Sequence, residues 1–333
     1  MAVKRSFPLR NRASPSTMVR HLHATVARYC QNRRLADEYD HYFSDNPLFQ
    51  YDQAFVARCL AHAPPPPADA PALLDLGCGT GRHLLPWVRR QWRGVGVDLN
   101  PHMIRCALRK FHAAGLPARA LDAPDPDAAL NRSLALDAPG ALFALADFHR
   151  LPWRPERRFH AVLLMFSTIG LVRPAARRHS LLVDLRHRLA PGGSLILHVH
   201  NALFRTRPPP PAESSLGRRL RDAGRRLAAR WRSLVPASGS AAASGDAARP
   251  VCPVEGPDAD GDYEEGDQLM RSYRGELDLL LHVFTRDEVA GLVESAGYRL
   301  REIQPIAPSS DRPYTGPDPE REACGFLLHA LAP

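Results

Sequence analysis

Short apolar runs recur along the chain and alternate with segments of helical spacing. The runs that predict strands cover residues 73–76, 94–97, 141–145, 161–166, 194–200, 298–306 and 324–331. Between them the spacing of apolar positions predicts helices over residues 101–114, 173–189 and 286–296. The run at 161–166 is almost wholly apolar, which is typical of a strand covered on both faces. The pattern therefore favours a parallel sheet enclosed by helices.

A glycine-rich turn follows the first of these strands. Gly77, Gly79 and Gly81 alternate within LLDLGCGTGR, residues 73–82. Glycine tolerates positive φ and lets a ligand lie against the main chain, and the N–H groups of the residues that follow favour a negative group there. A dinucleotide-binding turn needs a small residue at the position that Arg82 holds, so NAD and FAD are disfavoured.

Two acidic residues stand where later strands end. Asp98 closes the strand in VGVDLN, residues 95–100, and is placed to accept both hydroxyls of a ribose. Asp147 follows the run at 141–145 and is placed to accept a hydrogen from an exocyclic adenine amine, with Phe148 beside the ring. The three features together predict a nucleoside ligand.

The chain resembles the class I S-adenosylmethionine-dependent methyltransferases. Six segments match that family in order: LLDLGCGTGR (73–82), VGVDLN (95–100), ADFHRLPW (146–153), FHAVLLMFSTIGLV (159–172), LRHRLAPGGSLILHVHN (185–201) and HVFTRDEVAGLVESAGYRL (282–300). The resemblance implies a Rossmann-like α/β fold. Its sheet has seven mostly parallel strands with an antiparallel last strand, and helices cover both faces. The implied cofactor is S-adenosyl-L-methionine.

The resemblance also implies which residues contact the cofactor. The set is Tyr39, Asp75, Gly77, Cys78, Gly79, Gly81, Asp98, Leu99, Asp147, Phe148 and Met165. The glycines lie beneath the methionine moiety and Asp75 orients its amine. Tyr39 belongs to an aromatic helix that lies over the cofactor in related enzymes; the alternative is that Tyr39 simply packs on the sheet.

The acceptor side is less defined by sequence. His200 and Asn201 stand at the open end of the fifth strand, and residues 268–284 predict a hairpin that turns at Arg274-Gly275. The candidate catalytic residues are His200, Asn201, Tyr273 and His282, and Arg271 is a further candidate acceptor contact. His200 or Asn201 serves as a general base or a hydrogen-bonding group.

A metal held by His198, His200 and His282 is the alternative for this end of the sheet. It is disfavoured because no carboxylate or thiolate cluster in the sequence completes the ligand set. His198 is expected to be a polar group that backbone or water satisfies.

The formal charge of +9 is concentrated in two segments. Residues 1–36 carry eight basic residues and no acidic one, and residues 201–250 carry ten basic residues against three acidic ones. The predicted organisation is a basic, disordered or loosely helical arm (1–36), N-terminal helices with a Pro-rich connector (37–70), a cofactor-binding core (71–201) with an irregular insertion over residues 117–139, a basic amphipathic helix with a flexible insertion (202–262), and a hairpin lid with the last strands (263–333). The basic helix, with its arginines between 205 and 232, docks on the core or contacts RNA phosphates or an anionic membrane.

Three functions are consistent with these features. The first is methyl transfer to a small molecule, the second is methylation of a tRNA wobble uridine, which HVFTRDEV resembles, and the third is a non-catalytic scaffold that binds the cofactor. RNA is a possible partner through the two basic segments. Six cysteines without a CxxC pair and no apolar run of membrane-spanning length favour a reducing, cytoplasmic setting.

Overall fold

The computed structural model of the 333-residue chain describes residues 26–61, 71–121, 140–148, 151–153, 159–204, 264–272 and 277–333. Several predictions lie outside these residues: Tyr273, the turn at Arg274-Gly275, most of the basic arm, and the basic helix within 205–232. The division of the chain into segments at residues 36, 70, 201 and 262 stays a prediction.

Ten strands form one large sheet and one hairpin. They are β1 (Ala72–Leu76), β2 (Arg93–Asp98), β3 (Ala118–Leu121), β4 (Ala141–Leu145), β5 (Phe159–Leu164), β6 (Leu189–His200), β7 (Asp267–Ser272), β8 (Leu277–His282), β9 (Arg299–Ile306) and β10 (Gly325–Leu331). The large sheet has the order β3-β4-β2-β1-β5-β6-β10-β9, and β7 pairs with β8 alone. The predicted hairpin is therefore confirmed.

The strand directions confirm the predicted fold class. β10 runs antiparallel to both of its neighbours, β6 and β9, and the other pairs in the large sheet are parallel. The predicted number of seven strands is wrong for this sheet, which has eight. The additional strand is β3, which pairs with β4 at the edge of the sheet, within a segment (117–139) predicted to be irregular. An edge strand is covered on fewer sides, and β3 is only half-buried, so its sequence lacks the apolar run that reveals the others.

The helices cover both faces of the sheet. They are α1 (Arg33–Tyr42), α2 (Pro47–Ala61), α3 (Leu85–Val88), α4 (Pro101–Ala113), α5 (Ala175–Arg188), α6 (Arg286–Ser295) and α7 (Pro319–Glu322), with a 3₁₀ turn at Thr168–Leu171. The three predicted helices agree with α4, α5 and α6 to within two residues at each end. Asn100 caps α4 by accepting hydrogen bonds from two backbone N–H groups, and Thr285 caps α6 with Glu288 in a capping box.

Alternating side chains of the strands build two separate cores. Leu74 and Leu76 of β1 belong to the cluster that packs with α5 and α6, whereas Leu73 belongs to the cluster that packs with α2 and α4. Because β1, β2, β4, β5 and β6 are parallel, their carboxyl ends meet at one edge of the sheet, where the predicted site residues follow. Within the described residues no helix is long and apolar enough to cross a membrane.

Candidate functional site

The glycine turn after β1 adopts the backbone conformation that its sequence predicts. Gly77, Gly79 and Gly81 all have positive φ angles, of 70°, 52° and 72°. The N–H of Gly77 donates to the carbonyl of Val97 at 2.8 Å, which fastens the turn to β2. A Cβ at Gly77 would lie 2.8 Å from the hydroxyl of Thr168, whereas a Cβ at Gly79 would meet no atom within 4 Å. The turn therefore contacts the end of β5 on one side and faces open space at Gly79.

The turn is longer than the sequence suggests. The helix that was expected to open at residue 83 begins only at Leu85, as the short α3. Cys78 points away from the open side, because a Cβ added to Gly96 of β2 would lie 2.8 Å from its sulfur. Burial raises the pKa of the Cys78 thiol well above its usual range. The side chain of Cys78 is thus part of the core, and only its backbone belongs to the turn.

Asp75 and Arg82 flank the turn, and each has a polar atom without a partner. Asp75 is buried, and its Oδ2 has no hydrogen-bond partner among the described residues. Burial raises the pKa of Asp75 to about 8, although the nearby Arg82 guanidinium opposes the shift. The Arg82 Cζ lies 3.1 Å from the centroid of the Phe49 ring, and its buried Nε has no partner in the same part of the chain. A buried acid and a buried base are both available to a ligand here.

Asp98 lies at the end of β2 and is fully engaged by hydrogen-bond donors. Its carboxylate accepts from the backbone N–H groups of Gly79 and Asn100, both at 2.8 Å. The hydroxyl of Tyr29 donates to the same carboxylate, at 3.0 Å from Oδ1 and 3.2 Å from Oδ2. Burial raises the pKa of Asp98, and these hydrogen bonds oppose that rise. The sequence gives no sign of Tyr29, which belongs to the segment interpreted as a basic arm.

Tyr39 lies among aromatic rings on the inner side of α1. Its ring is 4.9 Å from the Phe43 ring and 6.4 Å from the Phe49 ring, centroid to centroid. Burial raises the pKa of Tyr39 to about 12, while Arg82 opposes the rise and Asp98 adds to it. Tyr39 is therefore within electrostatic reach of both sides of the glycine turn. Both alternatives weighed for it, contact with a ligand and packing, agree with this position.

The residues after β2 and β4 lie side by side because these two strands pair. Asp98 is opposite Leu145 in the register, so Asp147 follows at the neighbouring strand end. Asp147 and Leu99 are half-buried. Phe148 is only 8% exposed and packs in the core cluster of α5 and α6. The pair of strand ends expected to hold a nucleoside is thus assembled, with Phe148 anchored in the core.

The end of β5 is held in an unusual conformation. Phe166 and Ser167 have φ angles of 57° and 61°, which non-glycine residues rarely adopt and which recur at functional sites. The carbonyl of Met165 accepts the hydroxyl of Thr168 at 2.7 Å, and the Ser167 hydroxyl accepts the backbone N–H of His200 at 2.8 Å. These bonds hold β5 and β6 together where both strands end.

His200 carries a neutral ring at this edge. Burial lowers its pKa to about 3, and the neighbouring His198 adds to the effect. Its ring centroid lies 6.2 Å from that of Phe166 and 5.5 Å from that of His198. A neutral imidazole can accept a hydrogen bond, which is one of the two roles predicted for His200, whereas a pKa of about 3 makes the ring a weak base and disfavours the other role.

His198 differs from its prediction. Its Nδ1 lies 3.1 Å from Oδ2 of Asp52 on α2, and both side chains are buried. The expectation that backbone or water satisfies this histidine is therefore wrong, because a carboxylate 146 residues away in sequence does so.

Asn201 was predicted to act on the acceptor, but its side chain has other partners. Its Nδ2 donates to the carbonyls of Glu320 and Ala323, both at 2.8 Å, and its Oδ1 accepts the N–H of Leu203 at 3.0 Å. Both amide hydrogens and the amide oxygen are in use. These contacts give Asn201 a structural role in joining the end of β6 to the segment before β10.

His282 lies between two carboxylates. Its Nδ1 is 3.0 Å from Oδ1 of Asp267 and its Nε2 is 2.6 Å from Oε1 of Glu288. Burial alone would lower the pKa of His282, but the hydrogen bonds from Asp267 and Glu288 outweigh it and raise the pKa. Both ring nitrogens face carboxylate oxygens, which favours the doubly protonated ring, and neither nitrogen is free to contact an acceptor. The geometry therefore does not suit His282 to the predicted catalytic role.

His282 belongs to a group of six charged side chains that we term the hairpin cluster: Arg173, Arg178, Glu264, Asp267, His282 and Glu288. Arg173 contacts Asp267 at 2.5 Å, and Arg178 contacts Glu264 at 2.7 Å. Three acids thus face two arginines and one imidazolium, so the charges balance. Glu264, Asp267 and His282 have the spacing of metal ligands, but the arginines and the imidazolium already neutralise the acids, so a divalent cation does not fit.

Comparisons with known proteins support the resemblance. The sequence profile of the methyltransferase domain family matches residues 39–243, more than half of the chain. A dTDP-3-amino-3,4,6-trideoxy-alpha-D-glucopyranose N,N-dimethyltransferase from Streptomyces venezuelae is 26% identical over 129 residues. This match covers 39% of the chain and spans 42% of the length of that curated relative.

Two solved structures align with most of the chain. An S-adenosylmethionine-dependent methyltransferase from Clostridium acetobutylicum ATCC 824 aligns with a TM-score of 0.50 at 11% identity, covering 89% of this chain and 98% of its own. The CcbJ methyltransferase from Streptomyces caelestis aligns with a TM-score of 0.49 at 18% identity, covering 90% and 96%. The Clostridium structure has the same methyltransferase fold as the chain described above.

Proposed function

We propose that this chain, which belongs to the methyltransferase domain family, transfers a methyl group from S-adenosylmethionine to a small-molecule acceptor. The observation that carries the proposal is a pair of ionisable side chains at the glycine turn, Asp75 and Arg82, each of which has a buried polar atom without a hydrogen bond among the described residues. When bound, the cofactor supplies an activated methyl group on a positively charged sulfur. The protein then has to hold the acceptor in line with that methyl group and exclude water.

The amino-acid end of the cofactor carries one positive and one negative group. Asp75 would accept hydrogen bonds from the ammonium group of the cofactor, since its Oδ2 has no hydrogen-bond partner among the described residues. Arg82 would donate to the carboxylate of the cofactor. In the sequence, Arg82 disfavours NAD because it stands where a dinucleotide-binding turn needs a small residue. Its half-buried position at the end of the turn supports a direct role in binding.

The nucleoside end is assigned to the neighbouring strands. Asp98 would accept the ribose hydroxyls, and Asp147 would accept the adenine amine beside Phe148. Support for this assignment comes from the register of β2 and β4, which brings these strand ends together. Gly79 gives the ribose room, because no atom lies within 4 Å of the position that a Cβ would take.

The acceptor end is assigned to the tips of β5 and β6. His200 would accept a hydrogen bond from the acceptor oxygen or nitrogen through its neutral ring. Met165, Phe166 and Thr168 would border the methyl group. Tyr273, which lies outside the described residues, stays a predicted acceptor contact, whereas the bonds of Asn201 and His282 support structural roles.

A small-molecule acceptor is supported by the Streptomyces venezuelae relative, whose name specifies an amino-sugar derivative. That match spans less than half of the relative, so it supports only the class of acceptor. The basic segments that favour an RNA acceptor lie mostly outside the described residues. The experiment below therefore includes RNA among the acceptors that are compared.

Incubation of the purified protein with S-adenosylmethionine labelled at the methyl group and fractionated lysate tests the proposal. We expect label in small metabolites and much less in RNA, protein or lipid. Label in tRNA would replace the proposed acceptor class with the second one. Binding of S-adenosylhomocysteine without turnover on any fraction would favour a scaffold, and failure to bind it would overturn the proposal as a whole.

A His200→Gln variant tests the acceptor end separately. The variant loses the ring nitrogen but keeps a polar side chain at the strand end, so we expect unchanged affinity for S-adenosylhomocysteine and about tenfold slower label transfer. Equal transfer by the variant and the wild type would remove His200 from the mechanism.

A further inference from the structure

The hydroxyl of Tyr29 donates a hydrogen bond to the Asp98 carboxylate, the group that the proposed function assigns to ribose binding. It contacts both oxygens of Asp98, at 3.0 and 3.2 Å. Two backbone N–H groups, from Gly79 and Asn100, occupy further lone pairs of the same carboxylate. A carboxylate offers about four lone-pair sites. Two ribose hydroxyls can therefore be accepted only if Tyr29 leaves.

Tyr29 is held in this position by its backbone as well. The Nδ2 of Asn100 donates to the carbonyl of Tyr29 at 2.7 Å, while the Oδ1 of Asn100 caps α4. Asn100, two residues after Asp98, thus holds the backbone of Tyr29 next to the Asp98 carboxylate. Tyr29 is half-buried, and desolvation of its hydroxyl raises the pKa well above the usual value, so the group stays protonated and donates.

The segment that carries Tyr29, residues 26–43, has a small core of its own. We term it the N-terminal lid. Leu35 and Ala36 pack with Met103 of α4 in a cluster separate from the two large cores. The small area of this cluster places the lid among the elements that open at low cost, compared with the sheet.

Polar contacts fasten the lid to the body of the protein. Asp40 of α1 binds Lys110 at 2.6 Å and accepts the hydroxyl of Thr80 at 2.7 Å, and Lys110 also donates to Thr80 at 2.8 Å. We term these three residues the lid latch. Thr80 lies in the glycine turn, so the latch ties the lid directly to the loop on which the cofactor is proposed to rest. A further ion pair between the lid and α4, Asp37 with Arg109, is largely exposed and contributes little to the stability of the closed lid.

We infer that the N-terminal lid gates the cofactor site, with the Tyr29 hydroxyl occupying the place of a ribose hydroxyl on Asp98 until the cofactor displaces it. The inference rests on the proposed function, because it assumes that Asp98 holds a ribose. Binding then requires an exchange of one hydrogen-bond donor for another. The apparent affinity equals the intrinsic affinity multiplied by the fraction of molecules in which Tyr29 has left the carboxylate.

The test uses 5′-methylthioadenosine, which carries the ribose but lacks the charged amino-acid end. Replacing Tyr29 by Phe removes only the competing hydroxyl, so we expect about tenfold tighter binding by isothermal titration calorimetry. The matched control is Tyr42→Phe, since Tyr42 lies on the same lid but is exposed. Unchanged or weaker binding by Tyr29→Phe would overturn the gate.

A second variant keeps the test decisive if Tyr29→Phe does not fold. Lys110→Met removes the latch while retaining much of the apolar stem, and we expect faster association of 5′-methylthioadenosine in surface plasmon resonance. An unchanged association rate would contradict a gate fastened at Asp40. If the wild type binds neither 5′-methylthioadenosine nor S-adenosylhomocysteine, the proposed function fails; if it binds them and both variants behave like the wild type, only the gate fails.

Discussion

Two regions of this molecule bury acidic and basic side chains, and they differ in how completely those charges are paired. In the hairpin cluster, Arg173 faces Asp267 and His282 lies between Asp267 and Glu288. At the glycine turn, Asp75 and Arg82 each keep a buried polar atom without a hydrogen bond among the described residues. The residue types are similar, but every charged side chain of the hairpin cluster has an opposite charge within 4.0 Å, whereas neither Asp75 nor Arg82 forms an ion pair with a described residue.

This difference separates a structural site from a binding site. A buried charge without a partner is costly, so a protein retains one where a ligand completes it. A balanced cluster needs nothing further and joins the elements that contribute to it, here the β7–β8 hairpin, α5 and α6. The comparison explains why His282 suits a structural role although it lies where an acceptor contact was predicted. Four substitutions test it.

Removing a charge from the complete cluster has the largest expected effect on stability. Arg173→Met leaves the buried Asp267 without its closest arginine, and we expect the free energy of unfolding in urea to fall by about 3–5 kcal/mol. Arg286→Met, which breaks an exposed pair with Glu320 at 3.8 Å, should cost less than about 1 kcal/mol. Similar losses in both variants would contradict the contrast, as would a large change in S-adenosylhomocysteine affinity for folded Arg173→Met.

At the binding site, Asp98→Ala should have the largest effect on affinity. Loss of two hydrogen bonds to a charged acceptor predicts about 100-fold weaker binding of both S-adenosylhomocysteine and 5′-methylthioadenosine by calorimetry, because both ligands carry the ribose. Asp311→Ala, on an exposed loop, is the control and should bind as the wild type does. Intact affinity in Asp98→Ala would remove the ribose assignment.

Arg82→Met separates the two ends of the ligand. We expect about tenfold weaker binding of S-adenosylhomocysteine, whose carboxylate loses its partner, and little change for 5′-methylthioadenosine, which has no carboxylate. The Met side chain keeps an apolar contact to Phe49. An equal loss of affinity for both ligands would mean that Arg82 only supports the turn.

The smallest effect is a pH dependence of stability from His282. Its pKa is raised in the folded protein, so its contribution is fully present below the pKa of the unfolded chain and is lost as the pH rises through the folded value. The free energy of unfolding should therefore decline over that range, and His282→Gln should flatten the decline. A stability that rises over the same range would contradict the imidazolium assignment.

The sequence predicts the parts of this fold that depend on local pattern. Strand β5 is a continuous apolar run, and α6 begins with Thr285 and Glu288 at the spacing of a capping box, so both are recognised without knowing their partners. The glycine turn and Asp98 are similarly contiguous in sequence. The edge strand β3 is missed because only half of its surface is buried.

Contacts between distant segments explain the remaining differences. Tyr29 meets Asp98 across 69 residues, and Asp52 meets His198 across 146. Neither contact leaves a local signal, because a tyrosine in an Arg-rich segment and an aspartate in a helix are each ordinary. The same limit explains Asn201, whose amide group donates to carbonyls 119 and 122 residues away. The partners of His282 are nearer, at 15 and 6 residues, but the pairing depends on how the hairpin and α6 pack together.

The most direct test of the role assigned to Asp75 is the proton that its carboxyl group releases when a ligand with an ammonium group binds. The pKa of Asp75 is about 8, so near pH 7 the carboxyl is mostly protonated, and an ammonium group beside it favours loss of the proton. Calorimetry of S-adenosylhomocysteine binding in two buffers of different ionisation enthalpy should show proton release by the wild type, and affinity that falls as the pH drops below 8. Asp75→Asn should release none. Release of no proton by the wild type, or the same release by Asp75→Asn, would contradict the assignment on which the proposed site rests.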